Sequence, residues 1–403
     1  MASARFMQSV TSAGGLFRNV QNSLRLVGSC RTLYSAEALG VDGYEKQRER
    51  IKLQFSGMTE KFRTKMQEFS EKDSKNMIFT EDLKNMVHLT ESSPEDLQLV
   101  LLMMKKFNQQ NRHLRFGNYV FGPVVMRMYY HLNDPKSAIE AFKDPELEGF
   151  FDQLVSFQLL CDLLHRNQMY QEVLDAYELI KTKQVQMTKY PRNVMVLVFA
   201  SLYKLNNVQS YELALKLLTE MKEVGVEPVR RVLTYASGLA LNQNAANIAL
   251  EILSSVAQPN YVTVRNLKIS ALSDIGRADD ALPLLRWSLE FDNPGADFRA
   301  TVCPDVLERV AQAFEKLDNK EQTSEFHRIH KALTETKQIS DKTLDELLNA
   351  EIAASTRMVG GGGPQENFRR QNMQRSFRIG QSIDLKPRRN PAFERERRSI
   401  QGE

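Results

Sequence analysis

Three basic side chains recur along the middle of the chain, His131, Arg166 and Lys204, spaced 35 and then 38 residues apart. Cations held at a regular structural interval can track a polyanion, because each phosphate they neutralise releases condensed counterions. Arg127, Lys189, Arg192, Arg230, Arg231, Arg265 and Lys268 could widen such a strip. The plainer account of any one of them is a solvated charge at a helix end. Catalytic chemistry has less support. The chain contains no GxxxxGK[ST], HExxH or GxSxG, so the common phosphate, zinc and nucleophile-elbow devices are missing. His327 and His330 stand three apart on a helical stretch and could offer two nitrogens to a metal, but no cysteine is near and Arg328 lies between them. The carboxylates Glu95-Asp96 and Asp279-Asp280 fall at helix starts, where they complement the helix dipole. No catalytic residue, metal site or cofactor is expected, and the chain is not read as an enzyme.

Such cations need a scaffold. With 42% apolar and 26% charged residues over 403 positions, the chain can bury a large core. Sixteen Met and a single Trp, with few β-branched runs, suit helix packing better than sheet. The longest uncharged apolar stretch, Asn193 to Tyr203, is far short of the roughly 20 residues a spanning helix needs. Cys30, Cys161 and Cys303 are isolated and odd in number, which indicates neither a disulfide framework nor a zinc site.

Charge is distributed unevenly. Residues 1–40 carry four Arg and one Glu, and residues 356–403 carry eleven basic side chains and five acids. Taking those +3 and +6 from the total of +4 leaves −5 for residues 41–355. Any nucleic-acid contact on the body must therefore be local and not a bulk-charge effect. Residues 1–36 are Arg- and Ser-bearing, free of Lys and Asp, and Arg18, Leu24, Arg25 and Leu26 fit a basic amphipathic helix. This is the pattern of a mitochondrial import signal, with processing expected after Arg31, within Thr32 to Ala36. The 356–403 tail opens on Gly360 to Pro364, continues with paired arginines, and has Phe368, Phe377 and Phe393 among them. It has too few apolar residues to offset the entropy of ordering, so disorder is expected. Its Arg–Phe pattern could also order on RNA.

The middle repeats. Apolar residues run at helical spacing from Val155 to Leu164, break at Arg166-Asn-Gln, and resume from Glu172 to Ile180. A step of 35 residues back reaches Tyr119–Leu132 and Pro135–Lys143, with Ala138 matching Val173. A step forward reaches Val194–Lys204 and Tyr211–Glu223, which ends in Glu220-Met-Lys-Glu-Val-Gly225-Val-Glu-Pro228. Arg231–Gln258 and Val262–Glu290 are two less regular copies. Self-similarity at this period means stacked helical hairpins. The expected order is presequence 1–36, helical lead-in 37–77, hairpin 78–118, repeat array 119–290, helical cap 291–355 and disordered basic tail 356–403. The fold class is all-α: an α-solenoid of stacked hairpins with disordered ends.

A 35-residue hairpin closing on Glu-Met-Lys-x-x-Gly-Val-x-Pro resembles the pentatricopeptide repeat. The resemblance implies single-stranded RNA as ligand, one base per repeat, read by the fifth and last positions with a basic thirteenth position at the backbone. The fifth positions are Pro123, Gln158, Val196, Ala236 and Asn266. The last positions include Gln153, Thr188 and Val229. Among the fifth positions, side chains able to bond a base edge are confined to Gln158, paired with Thr188, and Asn266; His131, Arg166 and Lys204 are the thirteenth positions. The resemblance implies a mitochondrial matrix protein that acts in RNA maturation, processing or stability, alongside other RNA-processing proteins, and so supports the respiratory chain. The alternative is a solenoid scaffold for ribosome or respiratory-complex assembly, which the sparse base-reading positions and acidic body favour.

Overall fold

A computed structural model describes residues 32–71, 74–114, 119–290, 300–317 and 319–354. Residues 1–31 of the expected import signal 1–36, and the expected basic tail 356–403, lie outside the described residues.

Eighteen α-helices occur among the described residues, with no strand beyond two isolated bridges. The lead-in holds α1 (Ala36–Leu39), α2 (Val41–Gln54) and α3 (Thr59–Ser70), and a hairpin follows from α4 (Thr80–Leu89) and α5 (Pro94–Leu114). Five hairpins come next: α6 (Gly122–Leu132) with α7 (Pro135–Lys143), α8 (Leu154–Arg166) with α9 (Tyr170–Lys183), α10 (Arg192–Leu205) with α11 (Val208–Glu223), α12 (Arg230–Asn242) with α13 (Ala246–Ser254), and α14 (Val262–Asp274) with α15 (Ala278–Glu290). The pair α16 (Pro304–Leu317) and α17 (Lys320–Glu335), then the short α18 (Leu344–Leu348), complete the chain. The all-α solenoid expected from the sequence is what the chain forms.

Turn chemistry sets the hairpins. Each of the five turns holds one left-handed residue: Asn133, Gln168, Asn206, Asn244 or Gly276. Asn and Gly tolerate that conformation at least cost. At the first turn Asn133 ends α6, the Asp134 side chain accepts from Ser137 N at 3.1 Å, and Pro135 starts α7 where its missing N–H costs nothing. At the third, Asn207 caps α11 by accepting from Ser210 N at 2.7 Å. Neighbouring turns are stitched together, Asn133 to Asn167 and Asn206 to Gln243.

Packing follows the repeat. Small side chains fall at the same place in most second helices, with Ala138, Ala214, Ala249 and Ala281 all buried and Val173 in the remaining one. They let the two helices of a hairpin approach closely. Each first helix packs on the next, from α6 through α8, α10, α12 and α14 to α16. Successive second helices pack less closely, apart from α15 and α17. The stack is therefore tighter on its first-helix side, which makes that side the inner one.

Candidate nucleic-acid interface

Inner faces of repeat arrays are normally open grooves. Here the first helices are buried almost all round: every residue from Val194 to Tyr203 in α10 and from Val232 to Leu241 in α12 is buried. A helix with no polar stripe is one covered on every side. The cover is the chain itself.

After α17 the chain returns across the first helices. Val302 and Ile339 form a short parallel bridge, and Leu344 N donates to both carboxylate oxygens of Asp305 at 3.1 Å. Helix α18, held by a Thr343–Glu346 capping box, packs on α12 and α14. Its Asp345 carboxylate lies 3.1 Å from Lys204 Nζ, and Arg231 Nη1 donates to Leu348 O at 2.8 Å. Leu348 presses so closely on Gly238 that a Cβ there would lie 3.1 Å from Leu348 Cδ1 and 3.0 Å from Tyr203 Cε2. Further on, Ile352 N donates to Leu33 O at 2.8 Å and Ser35 N to Ile352 O at 3.1 Å. The two ends of the described chain thus meet over the array and form a strap.

The N-terminal strand of the strap is anchored on Asp162 of α8. Tyr34 N donates to Asp162 Oδ1 at 3.2 Å and the Tyr130 hydroxyl donates to Oδ2 at 2.8 Å, while Tyr34 OH donates to Asn193 O at 3.2 Å. Burial pushes the Asp162 carboxyl up to about 6, against the pull of the Tyr130 hydroxyl, the Tyr34 and Leu33 N–H groups and Arg166. On the same helix, burial draws the His165 imidazole down to about 4.

The expected site residues meet different surroundings. His131 is exposed, with Nδ1 2.9 Å from Glu45 Oε1. Arg166 sits over the Tyr130 ring at 5.8 Å. Lys204 is tied to Asp345 and lies 5.6 Å from the Tyr203 ring centre. Gln158 is half-buried and accepts from Asn193 Nδ2 at 3.0 Å, and Thr188 Oγ1 accepts from Tyr190 N at 3.2 Å. Asn266 requires a correction. It is fully buried, with Nδ2 donating to Val262 O at 2.8 Å and Thr301 O at 3.2 Å, and Oδ1 accepting from Cys303 N at 2.8 Å. Both ends of its amide are used to dock the segment entering α16, so it offers no edge to a base. Val196 and Ala236 are buried as well.

Several of the flanking cations are also occupied within the fold. Arg127 Nε donates to Leu39 O at 2.9 Å, Arg230 stacks on Tyr261, and Arg265 is buried over Trp287. Lys189 and Arg192 are exposed at the start of α10, close in sequence to Thr188 and to the Gln158–Asn193 pair. Neither Asp162 nor the strap was anticipated. The unbroken apolar run of α10 was the signal that something covers it.

Helical hairpins stacked in an unbroken series define a helical-repeat protein. No family model matches the chain. It is 30% identical over 272 residues to the mitochondrial pentatricopeptide repeat-containing protein 2 of Mus musculus, covering 68% of this chain and 70% of that one. The protein of the same name from Danio rerio is 30% identical over 275 residues, at 68% and 70% coverage, and that from Homo sapiens 27% identical over 323 residues, at 80% and 81%. The chain belongs to the family of mitochondrial pentatricopeptide repeat-containing protein 2.

Proposed function

We propose that this is a mitochondrial RNA-binding protein of the matrix, non-catalytic, which acts in the maturation, processing or stability of mitochondrial transcripts and thereby in respiratory-chain function. Family membership and the relatives' printed location support the mitochondrion as the compartment. The observation that carries the RNA reading is the cluster at the N-terminal end of α10, where exposed Lys189 and Arg192 adjoin half-buried Thr188 and the Gln158–Asn193 pair. Cations there can neutralise phosphates while the amide and hydroxyl meet a base. Arg166 and Lys204 stand at the far, C-terminal ends of α8 and α10, where phosphates compete with Asp345 for Lys204. Other RNA-processing proteins are the partners this reading calls for. Crosslinking the tagged protein in mitochondria and sequencing the bound RNA tests it, with a defined set of mitochondrial transcripts as the expected result.

A second reading, a scaffold for ribosome or respiratory-complex assembly, is favoured by the strap. A covered inner face leaves less surface for a nucleotide strand, and the buried Asn266 removes one base reader. Absence of RNA binding by the purified protein at low salt would put the scaffold first.

A further inference from the structure

Asp162 is fully buried, and the groups bonded to it among the described residues are neutral: the Tyr130 hydroxyl and the N–H groups of Tyr34 and Leu33, with Arg166 of the same helix attracting it through space without a bond. A buried carboxylate held by neutral donors alone is costly, and normally a cation answers it. Two of these donors, Leu33 and Tyr34, come from the stretch where processing of the import signal is expected. We infer that cleavage of the Thr32–Leu33 bond creates the mature N-terminus, and that the new α-ammonium of Leu33 forms a buried ion pair with Asp162.

The chemistry balances as simple hydrolysis. Water adds across the Thr32–Leu33 amide, the released piece keeps the new carboxylate, and the amine takes up a proton. An α-amino group has an ordinary pKa near 7.7–8.0, so it is largely cationic at neutral pH. The geometry favours this bond over those that follow it. Leu33 is buried and its carbonyl accepts from Ile352 N at 2.8 Å, so cutting after Leu33 would remove both its packing and that bond to the strap. Cutting further on, before Ala36, would also remove Tyr34, Ser35 and the contacts to Asn193 and Ile352. A terminus at Leu33 keeps all of these and replaces an amide donor by an ammonium. Processing would in this way lock the strap onto the array.

The inference rests on reading residues 1–36 as an import signal, and its tests separate the two. N-terminal sequencing of the protein isolated from mitochondria should return Leu33. A terminus near Met1 overturns the import reading and with it the ion pair, whereas one at Arg31 or Thr32, or at Tyr34 or beyond, overturns the ion pair alone. A second measurement does not depend on the processing enzyme. Chains beginning at Leu33 and at Arg31, each carried through to Glu403, are compared in urea at pH 7. The Leu33 form should have a folding equilibrium constant about tenfold higher, equivalent to a rise of about one pKa unit in the folded ammonium. Asp162→Asn in both forms should close that gap. An ammonium stabilised by folding has a raised pKa, so the gap is fully present below about pH 7.7 and is lost as pH rises through the folded value. An equal gap in the Asp162→Asn pair, or a gap indifferent to alkaline pH, overturns the pairing.

Discussion

Lys204 and Asp345 are 141 residues apart in sequence and 3.1 Å apart in space, and that contact joins the strap to the strip of cations. The carboxylate occupies the position a phosphate would take if RNA ran along the inner face. Lys204 is therefore both a candidate ligand and a strap contact, and the two roles exclude one another at any instant.

Asp345→Asn should then strengthen RNA binding and steepen its salt dependence, because it frees one cation. Single-strand contacts contribute about 0.7 log unit of slope per phosphate neutralised. The fold should lose less than about 1 kcal/mol, since the pair is partly exposed. Titrations at several salt concentrations measure the first effect and urea denaturation the second. Unchanged affinity would place the RNA elsewhere.

Replacing Arg166 and Lys204 together by Ala should weaken binding to all sequences alike and lower the slope by about 1.4 for two lost contacts. An intact slope removes both residues from the site.

Asn266→Ala should act on stability and not on base preference. It leaves Cys303 N and Thr301 O without their partner, at a cost of about 1–3 kcal/mol. Any shift in preference for one base, with the midpoint unchanged, would restore Asn266 as a reader.

Gly238→Leu should lift the strap. The added side chain meets Leu348 and Tyr203 at once, and a tightly packed contact of this kind does not yield smoothly. Limited trypsin digestion should then cut at Lys342 faster than in the wild type, while the helical signal of the array stays in place. Equal cutting rates would show that the strap tolerates the insertion.

His165 gives a pH signature. Burial holds its folded pKa at about 4, below the ordinary 6.5. The unfolded chain therefore binds the proton first on acidification, and stability falls as pH drops from about 6.5 toward 4, by at most about 1.4 kcal/mol per pH unit. His165→Leu should flatten this part of the curve relative to the wild type.

The local rules of the fold were legible in the sequence. The helical spacing from Val155 to Leu164, the break at Arg166-Asn-Gln and the resumption at Glu172 are short-range signals of the kind that fix each hairpin. What covers a face is not a local property. The apolar run from Val194 to Tyr203 announces burial but cannot name Leu348 or Tyr34 as the cover. Asn266 illustrates the same gap, because the repeat pattern places it at a reading position while Thr301 and Cys303, 35 and 37 residues away, claim its amide.

The pairing of Leu33 and Ser35 with Ile352 also bears on how the molecule comes apart. A linear array of hairpins ordinarily melts from its ends, one unit at a time, because each unit touches only its neighbours. Here residues flanking the first and last hairpins are bonded to each other above α8, α10 and α12. A terminal hairpin cannot fray without pulling the strap from the middle, so local opening is coupled to the whole. Amide exchange should then show similar protection in the outer and central helices, the mark of a ring-like cooperative unit and not of a chain of independent repeats.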